Sequence, residues 1–136
     1  MNREEQIFRD ASLILLVVDT RIKISELLKL KRKHFDLKEG HLLLDKTFKH
    51  PRILHFRKQL SDILEKYWSI VGIKNEEDVA FWTLGFHGPH QKRPITRCAL
   101  GMLMEGGMET LRKVGCAKIN ENYHNEKTLR QILQLA

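Results

Sequence analysis

The sequence predicts an α+β domain, mainly α-helical, with one small β-hairpin. Three observations predict it. The chain opens on a helix-length segment that becomes wholly apolar from Leu13 to Val18. Residues 38–56 then abandon helical spacing for short runs separated by turn residues. Residues 57–71 place Leu60, Ile63, Leu64, Tyr67, Trp68 and Val71 at i, i+3, i+4, i+7, i+8 and i+11, the spacing of an amphipathic helix.

Taken in order, residues 4–18 read as a helix buried toward its end, and Asp19 and Thr20 as its breakers or caps. Arg21 and Lys23 alternate with Ile22 and Ile24, which puts Lys23 at a junction that its neighbours mark as half-buried. Residues 24–33 read as a second helix with Ile24, Leu27, Leu28 and Lys31 on one face. Lys31, Arg32 and Lys33 suit a solvated last turn that complements the helix dipole. A Glu-Gly turn then leads to a strand, His41–Leu44, a polar turn, Asp45–His50, and a second strand, Arg52–Phe56. The tip of this hairpin carries Lys46, Lys49 and His50. Such a tip is often only soluble, but it is also a finger able to reach a phosphate.

After the helix over 57–71, Gly72 is the expected stop. NEEDVAFWTL reads as an acidic loop and a short extended segment, and GFHGPHQKRP as a loop. Thr96 opens a helix that Gly106-Gly107 breaks, and Asn125 caps a last one with Leu129, Ile132 and Leu133 inward. No repeat, linker or low-complexity tract divides the chain, so residues 1–136 read as a single domain.

Composition narrows the function classes. Apolar residues make up 42% of the 136 residues and charged ones 30%, which is globular rather than disordered. The longest apolar run is too short to span a bilayer, and no signal peptide is visible in MNREEQIFRD. Cys98 and Cys116 form neither a disulfide framework nor a CxxC pair, so a cytoplasmic setting is expected. A net charge of +7 and a pI near 9.6 favour an anionic partner, with nucleic acid the commonest. His87 and His90 could supply two metal ligands, but no third falls at a persuasive spacing, and no metal or cofactor is expected.

Four stretches carry a resemblance, in order along the chain. LLVVDTRIKISELLKLKRKHFDLKEGHLLL resembles the start of the catalytic domain of tyrosine recombinases (phage integrases), where an apolar helix precedes T-G-L-R-I-S-E/D-L-L-x-L, an acidic turn and a strand. DKTFKHPRILHF is similar to their hairpin, K-T-x-K-x-x-R-x-x-P-L. KRPITRCALGMLM resembles the segment that opens their next helix, and NEKTLRQIL their H-T-L-R-H/K-T-F box. The resemblance implies a recombinase-like catalytic domain with a β-hairpin or three-stranded sheet on one side. It implies double-stranded DNA as partner, a nucleoid-associated location in a bacterium, and a role in DNA recombination and integration, as in mobile elements.

The chemistry so implied is attack of a tyrosine on a phosphodiester. Arginine forks hold the non-bridging oxygens, and a hairpin lysine protonates the leaving 5′ oxygen. By resemblance Lys46 matches that lysine, Arg130 the second arginine, and Glu26 the acidic residue that orients its basic neighbour. Lys23 stands where the first arginine belongs and keeps the charge without the fork. Lys127 stands in the place of the box histidine. Lys23, Glu26, Lys46, Lys49 and Arg130 are the DNA-binding candidates.

The family's tyrosine falls about thirty residues beyond the box, past the last residue of this sequence. The expectation is therefore a truncated, degenerate member, impaired alone, that self-associates or meets a partner chain supplying the rest. An alternative register takes His90 and Arg93 as the box and Tyr123 as the nucleophile of an active recombinase. It sets Pro94 where a helix should continue. A third reading is a basic helical interaction module without DNA chemistry, in which Lys23 snorkels and Lys46 and Arg130 are merely solvated.

Overall fold

The computed structural model describes residues 3–82. Helix α1 spans Arg3–Thr20 and α2 only Ile24–Leu27. A single 3-10 turn, Arg32–His34, leads into strand β1, Phe35–Asp36. Strands β2, His41–Leu44, and β3, Arg52–His55, precede helix α3, Lys58–Val71. The strands form one antiparallel sheet in the order β1-β2-β3. This is the mixture of helices with a small sheet that the sequence predicts. The segments after residue 82, with Cys98, Cys116, His87 and the helices opened by Thr96 and Asn125, lie outside the described residues.

Helix α1 packs along α3 and touches β3. Every residue from Ala11 to Val18 is buried, as expected of a helix apolar on all faces. Near its start Arg9 and Asp10 form a buried ion pair at 2.8 Å, and Arg9 also donates to the Trp82 carbonyl at 3.2 Å. The helix does not stop at Asp19. Thr20 Oγ1 bonds back to the Leu16 carbonyl, and the turn is closed by Arg21, whose φ of 56° is left-handed and whose N–H reaches the Val17 carbonyl. Asp19 caps a different helix: its carboxylate accepts the backbone N–H of Arg57 and is held by the Nε and Nη2 groups of the same residue, so the end of α1 is clasped to the start of α3.

The second helix is shorter than its expected 24–33. It ends at Leu27, because the backbone beyond it is needed elsewhere: the Leu30 carbonyl accepts the Ala80 N–H, Lys31 bridges to Val79, and Arg32 N–H reaches the Asp78 carbonyl. Tertiary pairing with the extended segment after α3 overrides the local helical pattern. Lys31 and Lys33 are indeed at the surface, but both pair with Glu77 at 2.9 Å, and Arg32 lies over the Trp68 ring at 5.2 Å.

The sheet alternates as a one-sided sheet should. Leu42 pairs with Leu54 and Leu44 with Arg52 on the inner face, while His41–His55 and Leu43–Ile53 form the outer one. Beneath it Phe35 gathers the aromatic core, edge-on to Trp68 at 5.4 Å and near Phe56 and Phe81. Trp68 and Tyr67, read from spacing as core, are both buried, and Trp68 Nε1 donates to the Ala80 carbonyl. Gly72 ends α3 in the left-handed conformation, with its N–H on the Trp68 carbonyl.

Gly40 closes the turn between β1 and β2. Its φ is +74°, and a Cβ there would sit 3.2 Å from the Phe56 carbonyl oxygen, which belongs to the backbone it must approach to pair. Gly40→Ala should therefore cost about 1–2 kcal/mol, read as a lower urea midpoint at unchanged slope. An unchanged midpoint would show that the turn relaxes freely.

Candidate nucleic-acid interface

The site begins where α1 ends. From Arg21 the chain crosses to α2 in three residues, and Ile22, fully buried, pins the crossing. Arg21 and Lys23 on either side of it are exposed. The half-buried junction expected around Lys23 thus divides: Ile22 points in, and Lys23 points out. Lys23 occupies the N-cap of α2 in an extended conformation. A lysine has no acceptor to offer the helix. The capping comes instead from Glu26, whose Oε1 accepts the Lys23 N–H at 3.2 Å, one half of a capping box.

Glu26 is buried and does more than cap. Arg52, on the inner face of β3, meets it with both arms of its guanidinium, Nη1 to Oε2 at 2.8 Å and Nη2 to Oε1 at 2.9 Å. The same Nη1 donates to the His50 carbonyl at 2.8 Å. One bidentate pair therefore fastens the Lys23 junction to the base of the hairpin tip. The Arg52 hydrogen bonds hold the Glu26 carboxyl below the usual glutamate range, against the opposing effect of burial, and raise the guanidinium in turn.

The tip itself runs from Asp45 to Pro51. Lys46, Thr47, Lys49 and His50 are exposed, while Phe48 is buried. Asp45 orders the turn, accepting the Thr47 N–H at 2.9 Å and its hydroxyl, which lowers the Asp45 carboxyl. Phe48 anchors the tip by packing edge-on against His34, with ring centres 5.2 Å apart. The fold thus presents Lys46 and Lys49 to solvent on either side of an apolar anchor.

Of the residues singled out from sequence, Lys23, Glu26, Lys46 and Lys49 are described. The structure joins Lys23, Glu26 and the tip backbone at His50 through Arg52. Lys127, Arg130, His90, Arg93 and Tyr123 lie outside the described residues. Tyr67, the one tyrosine among the described residues, is a core group: its hydroxyl accepts the Trp82 N–H, and burial pushes its phenol up to about 12. Fully buried, that hydroxyl presents no surface to a phosphodiester. Arg52 is the residue that sequence reasoning missed. Its signal was present, because it falls on the arginine of the K-T-x-K-x-x-R pattern that DKTFKHPRILHF resembles.

Removing the carboxylate should be expensive. Glu26→Ala is expected to lose about 2–3 kcal/mol, since it strips the cap and leaves a half-buried guanidinium unpaired. The sign of the pH dependence follows from the lowered folded-state value. The contribution of Glu26 is complete above the ordinary glutamate range and fades as pH falls through the folded value. Urea unfolding should therefore show a gap between the native chain and Glu26→Gln at neutral pH that closes in acid. A gap independent of pH would contradict the pairing.

No protein-family model matches the chain, and no curated protein matches it in sequence. Solved structures do. The crystal structure of XerA recombinase is similar, with a TM-score of 0.57 and 15% sequence identity. The match covers 98% of this chain and 47% of that one, so the chain spans about half the length of its structural neighbour. At that identity the likeness speaks for the fold, and the fold is recombinase-like.

Proposed function

We propose that this chain binds duplex DNA through its phosphate backbone, as the DNA-handling part of a recombination-type protein. The observation that carries this reading is the Glu26–Arg52 bridge. It ties an exposed lysine at a helix junction to the base of an exposed cationic hairpin, within a fold similar to that of a recombinase. A net charge of +7 gives the attraction its sign. The pairing also explains why the buried carboxylate does not repel a phosphate, since Arg52 neutralises it.

In this reading Lys23 and Arg130 face non-bridging oxygens, Lys46 faces a leaving 5′ oxygen, Lys127 takes the part of the histidine, and Lys49 adds a backbone contact. Lys23 acts as a point charge rather than a fork, so it attracts a phosphate without fixing its orientation. Glu26 is a positioning group. It holds the backbone of Lys23 while keeping the hairpin in place.

Salt titration tests the reading. Each phosphate contact contributes about −0.9 to the slope of log affinity against log salt on duplex DNA. Lys23→Ala and Lys46→Ala should each make the slope shallower by roughly one, whereas Lys38→Ala, an exposed cation in the β1–β2 turn, should leave it unchanged. Equal effects at all three positions would reduce the protein to a diffuse basic surface and overturn the proposal.

A further inference from the structure

His34 closes the 3-10 turn and is buried, with only 5% of its surface exposed. Its Nδ1 accepts the Lys31 N–H at 2.9 Å, so the neutral ring carries its proton on Nε2. That Nε2 is buried and makes no hydrogen bond of standard length; it faces Asp45 Oδ2 at 3.6 Å. Phe48 packs edge-on against the same ring. The two groups that shape the hairpin tip, the carboxylate that orders its turn and the phenyl that anchors it, therefore meet on one imidazole. The charged neighbours of the ring are Asp45 from the tip and Lys31 and Lys33 from its own segment, both lysines being paired with Glu77.

We propose that His34 is a positioning residue for the cationic tip, setting the pose in which Lys46 and Lys49 meet a phosphate backbone. The inference rests on the DNA-binding reading above and extends it to a residue that touches no DNA. The ring works in its neutral form. Protonation would add a hydrogen to Nδ1, which already accepts one from Lys31, and would break that bond to gain a charged approach to Asp45. Burial disfavours the charged ring as well and holds its pKa below the usual histidine value, with Asp45 opposing. The Lys31 N–H on Nδ1 thus holds the ring neutral, with its Nε2–H turned toward Asp45 of the tip.

The test separates seating from simple stability. His34→Asn keeps an acceptor near Nδ1 for the Lys31 N–H but removes the Nε2 group and the ring beneath Phe48. With a mixed-sequence duplex it should make the salt slope shallower by about 1.8, the loss of both tip contacts. A variant that merely unfolded some molecules would reduce the competent fraction and leave the slope intact. In a Lys46→Ala/Lys49→Ala background, His34→Asn should weaken binding no further. Amide exchange at Thr47 and Phe48 gives a readout without DNA: it should accelerate more than tenfold in His34→Asn, with α1 and α3 amides unchanged. If native protein binds no duplex while the tip amides still respond to His34→Asn, the DNA reading fails and the seating role stands. Tip amides that exchange at the native rate, or a slope unaltered by His34→Asn, would overturn the proposal.

Discussion

The buried carboxylate of Glu26 in the fork of Arg52 is the contact on which the rest of the site depends. Neither partner could sit there alone. A glutamate buried to this degree without a cation would bear the full cost of leaving water, and a guanidinium on the inner face of a sheet would be stranded beside Leu44. Together they offset the cost of leaving water, and because the pair is bidentate it fixes orientation as well as distance. The two stretches it joins are separated by 26 residues in sequence. One faces solvent as Lys23, the other as the hairpin tip. Polar bonds link the two cationic stretches to one another, while the buried Ile22 and Phe48 anchor each of them to the core.

That network works because its supports are rigid. Asp19 fastens the end of α1 to the first residue before α3, holding both its backbone N–H and its guanidinium. Ile22 and Leu27 bury the crossing between α1 and α2, and the aromatic group around Phe35 holds the sheet onto α3. Arg21 is the strained element. A non-glycine residue in the left-handed region ends α1 at the position where the resembling pattern carries glycine. The chain thus accepts backbone strain in the residue that turns it toward the cationic junction.

Much of this was legible in the sequence, and the failures have physical causes. Spacing gave α3 nearly to the residue, because an amphipathic stripe is a local property. Strands β2 and β3 and the Gly40 turn are legible for the same reason, since alternation and a turn glycine are written in adjacent residues, whereas β1, only two residues long, shows no alternation to read. The second helix was overextended, because the residues after Leu27 are helix-compatible and only pairing with residues 78–80, distant in sequence, diverts them. Asp19 and Thr20 are legible as breakers or caps, but that the Asp19 carboxylate serves the start of α3 depends on a residue 38 positions away. The role of Arg52 is not legible from alternation, because its inward guanidinium is explained only by the Glu26 carboxylate 26 residues away. His34 gave no signal, because its role depends on Phe48 and Asp45 folding back over it.

The most direct measurement is a titration of the isotope-labelled chain with a mixed-sequence duplex, followed by NMR at backbone amides and lysine ammonium groups. The account predicts that shifts concentrate at residues 21–26 and 45–52, with the ammonium signals of Lys23, Lys46 and Lys49 moving together at one affinity. Shifts centred on the outer sheet face at Leu43 and Ile53, or spread evenly over every surface lysine, would contradict it.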